Sequence, residues 1–173
     1  MDRHGAISED EWRVWRGLAA MHGHLEREVA ARLRACDAAV SSSEFDVLAA
    51  LHDGGGELRA RDLAGRLGWE KSRLSHLLTR MHGRGLVDRS TGLPERPGTW
   101  IASTPDGRDA LRTAVPERIA ALRERFFDHV SDEELAVLRR VSERVLDAMC
   151  SDAAERDADA DDDACETPEG ATA

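Results

Sequence analysis

Along residues 8–34 the large apolar side chains Trp15, Leu18, Leu25, Val29 and Leu33 return at spacings of three, four and seven. That spacing gathers them on one side of a 3.6-residue helix. Ser8-Glu9-Asp10-Glu11 stands ahead of them as a capping box, so the pattern predicts a long amphipathic helix ending near Arg34. A second helix is expected after Ser41-Ser42-Ser43, carrying Phe45, Leu48 and Leu51 and stopped by Gly54-Gly55-Gly56. A short third helix holds Leu63, Ala64 and Leu67 and ends at Gly68. The fourth runs from about Glu70 to Gly83, with Leu74, Leu77, Leu78 and Met81 on one side. Leu86-Val87-Asp88-Arg89 reads as a short strand and Thr99–Ser103 as its return, around a loop broken by Gly92, Pro94 and Pro97. Thr104 and Pro105 open a fifth helix, which Pro116 is expected to kink or break. Ser131-Asp132-Glu133-Glu134 is a further capping box, opening a last helix with Leu135, Leu138, Val145 and Met149.

Two short helices joined at a glycine have helix-turn-helix spacing, and a hairpin directly after the second makes the winged version. The fold expected is therefore mainly α: a winged helix-turn-helix lobe with a small β-hairpin wing, plus N- and C-terminal helices. Those outer helices are one-faced and need a partner for their apolar sides, and a second copy of the chain would supply it.

On a helical wheel the fourth helix separates cleanly. Opposite its leucines lie Ser72, Ser75, His76, Thr79 and Gly83, bordered by Arg73 and Arg80, with Lys71 at the start. Small polar residues permit close approach to a major groove. Arg can read guanine O6 and N7 in a bidentate way, and an acid there would repel phosphate. Arg89 and Arg96 flank the hairpin loop, where a tip Arg can enter the narrow, negative minor groove.

Charge at first opposes this reading and then supports it. The 173 residues hold 34 Asp and Glu against 24 Lys and Arg, for a formal charge of −10. Residues 151–173 contain nine acids and one base, a net of −8, which leaves about −2 for residues 1–150. The segment carries no large apolar residue and is expected to be a disordered acidic tail. Residues 57–100 hold nine bases and five acids, so the one basic stretch coincides with the helix-turn-helix and wing.

Other chemistries find less in the sequence. No apolar run reaches the ~18 residues of a membrane span, and no apolar stretch follows the first Met as in a secretory signal. Cys36, Cys150 and Cys165 are odd in number and far apart, which suits a reducing cytoplasm rather than a disulfide framework or a zinc site. His22 and His24, two apart on a helix, point in different directions and make a poor metal pair. There is neither GxxxxGK[ST] nor GxSxG, so no enzyme, metal or cofactor is expected. Trp15, His22, Phe45 and Leu48 are candidates to line an apolar pocket between the first two helices.

The stretches LAGRLGWEKSRLSHLLTRMHGRGLVDR, WIASTPDGRDAL and FFDHVSDEELAVL resemble the MarR family of bacterial transcription regulators over roughly residues 10–150. The resemblance implies a homodimer that binds a palindromic double-stranded DNA operator through two winged lobes. It also implies a pocket for a small phenolic or lipophilic effector that releases DNA. On this basis residues 8–150 form one domain, with dimerisation helices at 8–36 and 104–150 and the winged lobe at 43–103. The expected function is a cytoplasmic, ligand-relieved repressor. The DNA-binding set is Lys71, Ser72, Arg73, Ser75, His76, Thr79, Arg80, Arg89 and Arg96. The family's wing carries Asp-x-Arg followed by Gly, whereas Glu95-Arg96-Pro97-Gly98 places the Arg one residue early here. A redox branch of the family uses a Cys near the start of the first helix beside Tyr. This chain has no Tyr, and Cys36 lies at that helix's far end. Two alternatives remain at this point: a thiol-based redox-sensing regulator, and a helical dimer that serves as a protein-interaction module.

Overall fold

A computed structural model of the chain describes residues 7–36, 40–92 and 97–162, with side-chain surroundings as far as Met149. Helix α1 spans Glu9–Ala35. The Glu11 amide donates to Ser8 Oγ, and the Ser8 amide donates to Glu11 Oε2 at 2.7 Å, closing the capping box. Helix α2, Ser42–Asp53, starts with the same device at Ser41 and Glu44. The short strand β1, Glu57–Arg59, leads into α3, Ala60–Leu67, and α4, Lys71–Gly83. Strands β2, Val87–Thr91, and β3, Thr99–Ser103, form the hairpin. Helix α5 is Pro105–Arg125, and α6 is Asp132–Asp162.

The sheet order is β1-β3-β2, antiparallel throughout, with Leu58 opposite Ile101 and Arg89 opposite Ile101 on the other side. Beyond the last ladder pair, the Gly92 amide donates to Gly98 O at 2.7 Å and draws the hairpin arms together. Gly98 sits at φ 110°, a conformation that glycine adopts without steric cost.

The core lies within residues 1–127, one of two compact units. Leu48 and Leu51 of α2, Leu63 of α3, Leu78 and Met81 of α4, Val87 and Ile101 of the hairpin and Ala114 of α5 are all fully buried there. From α1, only Val29 and Leu33 are buried. Arg125 reaches Glu28 at 3.2 Å, and Arg32 pairs with Glu124, so the end of α1 is tied along α5. The second unit begins at Asp128, and α6 is its helix. Ser131 and Glu134 cap it as the sequence predicts.

Three expectations change. Strand β1 was not expected, because three residues are too few for a period-2 pattern to show. Pro116 does not break α5: the helix is continuous from Pro105 to Arg125. Pro removes one ladder hydrogen bond, and the burial of Leu111, Ala114 and Ala121 holds the helix together on both sides of it. Helix α6 also continues past residue 150 into the acidic segment, as far as Asp162. Alanine recurs through that segment and has the highest helix propensity of any residue. Residues 163–173, the rest of the expected tail, lie outside the described residues, as do the wing-tip residues 93–96.

Candidate nucleic-acid interface

Helix α4 is buried through Leu74, Leu77, Leu78 and Met81, and everything else on it is exposed. Lys71, Ser72, Arg73, Ser75, His76, Thr79 and Arg80 therefore share one solvent-facing surface that contains no acid. Gly68, at φ 63°, turns the chain between α3 and α4 in the left-handed conformation its place requires. Ser43 of α2 joins Arg73, His76, Leu77, Thr79 and Arg80 around a recess of about 470 Å³. Buried Leu77 thus contributes to an otherwise polar and cationic hollow.

The wing is fastened to this helix. Arg89 of β2 is exposed, and its Nη1 donates to Thr79 Oγ1 at 3.4 Å. Thr79 Oγ1 in turn donates to Ser75 O at 3.0 Å, so this hydroxyl is already engaged from both directions. His82 Nδ1 lies 3.0 Å from Val87 O. A carbonyl can only accept, so that nitrogen carries the proton.

At the other end α4 is clamped to α2. Arg84 Nη1 donates to Glu44 Oε1 at 2.7 Å, while Glu44 Oε2 accepts from the Ser41 amide at 2.8 Å. The Glu44 side chain is 8% exposed and that of Arg84 is 42% exposed. Burial alone would raise the Glu44 pKa. The Ser41 amide and Arg84 outweigh it and hold the carboxyl below its ordinary value. Asp46, one turn end away on α2, goes the other way. Burial raises its pKa and the charge of Glu26 adds to that, against the opposing pull of Arg118 at 3.1 Å. Arg118 also lies over the Phe45 ring, 4.6 Å from its centroid.

Arg96 lies outside the described residues. The four residues expected to line a ligand pocket are not gathered into one. Trp15 is 63% exposed and His22 is exposed on α1, whereas Phe45 and Leu48 are core residues. A cavity of about 400 Å³ opens instead against α5, lined by His52, Arg108, Leu111, Arg112, Val115 and Pro116. Sequence reasoning also missed Ser43, the Glu44–Arg84 clamp and Trp69. The ring of Trp69 carries the Arg73 guanidinium at 4.3 Å. An aromatic residue one helical turn before an Arg was the available signal for that pair.

A family model described as the MarR family matches residues 40–96, which contain α2 through β2. Among solved structures, AbsC of Streptomyces coelicolor, a MarR family transcriptional regulator, is 25% identical. The match covers 85% of this chain and 99% of that one at a TM-score of 0.77. Sco3205 of the same organism, a MarR family transcriptional regulator solved in complex with DNA, is 26% identical. It matches over 86% of this chain and 92% of its own at 0.77. Residues 40–96 match the MarR family, and over most of its length the chain is similar in fold to MarR family transcriptional regulators. CouR of Rhodococcus jostii RHA1, solved with p-coumaroyl-CoA bound, shares the fold at 23% identity. That match covers 81% of this chain and 94% of CouR at 0.68. No curated protein matches at the level of sequence. The family match takes in α3, α4 and β2, the elements expected to form the helix-turn-helix and the first arm of the wing. Among the described residues, no helix is long and apolar enough to cross a membrane.

Proposed function

We propose that the chain is a homodimeric, sequence-specific regulator of transcription that represses from a palindromic operator and is released by a small-molecule effector. The observation that carries the reading is the exposed side of α4: short, polar, free of acids and edged by Arg73 and Arg80. Its solvated alternative would carry Glu among its exposed residues, as helix surfaces commonly do. Arg73 and Arg80 read guanines or anchor phosphates. Ser72, Ser75 and His76 approach base edges, Lys71 and Arg89 anchor phosphates, and Arg96 is assigned to the minor groove from the sequence alone. Thr79 contributes by holding Arg89.

Dimerisation is supported by exposed apolar residues on both outer helices. Trp12, Val14, Trp15, Leu18 and Met21 are open on α1, and Val141, Val145, Leu146 and Met149 on α6. Faces this apolar mark interfaces. In this reading residues 8–36 and 104–150 pair the subunits, 43–103 form the DNA-reading lobe, and the acidic segment from 151, which continues α6 to Asp162, takes no part in either. For the effector, the cavity beside α5 combines an apolar floor with His52, Arg108 and Arg112, which suits an acidic amphipathic molecule.

Selection of bound duplexes from a fragment library, followed by titration at several salt concentrations, tests the reading. With Lys71, Arg80 and Arg89 of both subunits each neutralising one phosphate, log Kobs falls against log salt with a slope of about −5. Arg73→Ala costs about 1–3 kcal/mol at the selected site and relaxes preference at one base pair per half-site. A slope shallower than about −2 with no sequence preference refutes the reading.

A further inference from the structure

The Arg73 guanidinium is held by a ring rather than by an acid. Its central carbon lies 4.3 Å from the centroid of Trp69, four residues earlier in the chain. Among the described residues no carboxylate forms an ion pair with it. Arg118 is the contrast: it lies over Phe45 and meets the Asp46 carboxylate directly at 3.1 Å, whereas Arg73 acts on that carboxylate only through its charge, without an ion-pair contact. A carboxylate occupies a guanidinium's N–H edge, whereas a ring occupies only its face. Arg73 therefore keeps its donor edges available, in the plane that bidentate recognition of a base requires.

The ring itself is fixed. Gly68 closes α3 in the left-handed conformation, and the Trp69 amide donates back to Ala64 O at 3.0 Å. The indole is half-buried and packs against the core. Glu70 is the N-cap of α4 but makes no side-chain cap bond, so Trp69 is the side chain that meets Arg73 at the leading end of the helix. A free Arg loses substantial rotamer entropy when it is immobilised on DNA. One already laid on a fixed ring has lost part of that freedom before binding.

We propose that Trp69 is a positioning and specificity-determining residue, which holds Arg73 with its donor edge presented for base readout at the start of α4. The inference rests on the DNA-reading role of that helix.

The test is a set of titrations against the selected operator and its single-base-pair variants, using the full chain, Trp69→Met, Trp69→Phe, Arg73→Ala and the double variant Trp69→Met/Arg73→Ala. Methionine fills the space as a flexible apolar chain but offers no ring face, and phenylalanine restores one. Trp69→Met is expected to weaken operator binding about three- to tenfold and to flatten discrimination at the base pair where Arg73→Ala flattens it. Trp69→Phe should recover most of both. In the Arg73→Ala background the Met substitution should cost less than about twofold. Melting curves identify any variant that has lost its fold; if Trp69→Met is one, Trp69→Leu, which also lacks a ring face, takes its place with the same expected and overturning results.

If Trp69→Met costs the same in both backgrounds, or weakens all sequences uniformly with discrimination intact, Trp69 acts through packing and the proposal is overturned. If Arg73→Ala itself changes nothing, the reading of α4 fails, and this inference fails with it. Loss of discrimination in Arg73→Ala without loss in Trp69→Met overturns the inference alone.

Discussion

Replacing Gly107 with alanine is a sharp test of how the wing is seated. Gly107 is buried in the first turn of α5, where its amide donates to the Thr104 hydroxyl at 3.0 Å. A Cβ built there would stand 2.1 Å from Leu86 O, 3.0 Å from Leu86 C and 3.1 Å from Leu48 Cδ2. The obstacle is backbone, and ordinary contact needs more than about 1 Å of additional separation. Leu86 O cannot move freely, because it accepts from the Thr104 amide at 3.2 Å, and its residue leads directly into β2. Overpacking of this kind costs about 1–3 kcal/mol, and distorting the Thr104 bond adds about 1 kcal/mol. Against that, Gly to Ala inside a helix contributes up to about 1 kcal/mol of stability. The net expectation is a loss of about 2–3 kcal/mol, which lowers Tm by roughly 5–10 °C for a chain of this size. Gly65, with nothing within 4 Å of its notional Cβ, is the control: the same substitution there should raise stability by about 0.5–1 kcal/mol. Thermal and urea unfolding at one fixed protein concentration measure both, since a dimer's Tm moves with concentration. A Gly107→Ala variant as stable as the parent would refute the close approach of α5 to Leu86.

The Glu44 carboxyl has a folded pKa below its ordinary value, so its contribution to stability is present above the unfolded pKa. It is lost as pH falls through the folded one. Glu44→Gln should therefore flatten acid unfolding below about pH 4.5. Arg84→Ala should cost about 1–2 kcal/mol by urea titration at neutral pH, the half-exposed guanidinium keeping it below the value of a fully buried pair. Leu146→Asp, on the apolar side of α6, should halve the mass seen by light scattering at micromolar concentration and abolish operator binding. Deleting residues 151–173 removes a net −8 and should tighten nonspecific DNA binding at low salt, as measured by fluorescence anisotropy.

Features written in local spacing were legible from residues alone. The capping boxes at Ser8 and Ser131 close as their sequences require, and Ser41, one of three expected N-cap candidates, caps α2. The leucine side of α4 is the buried one, which leaves its small polar residues exposed together. Gly68 and Thr104 mark the helix boundaries where they were expected. These features depend on groups within a few positions of one another, and helical geometry fixes how such groups meet.

The Glu44–Arg84 clamp joins residues forty apart, and no periodicity couples them. Arg89 meets Thr79 only because β2 folds back beside α4. Pro116 reads as a break locally, but the helix is held on both sides by buried neighbours. Phe45 and Leu48 have the composition of a pocket lining, yet the packing of α2 makes them core, while Trp15 and His22 are left on the surface of α1. The amino-acid order thus determined the helices, their buried sides and the small, polar and cationic chemistry of the exposed side of α4, because each is a property of neighbours along one element. Only the tertiary structure decided which exposed cations are tethered, by which ring or acid, and which apolar residues are core. Those outcomes depend on distances between elements, and loop closure and packing set these distances where spacing in the chain does not.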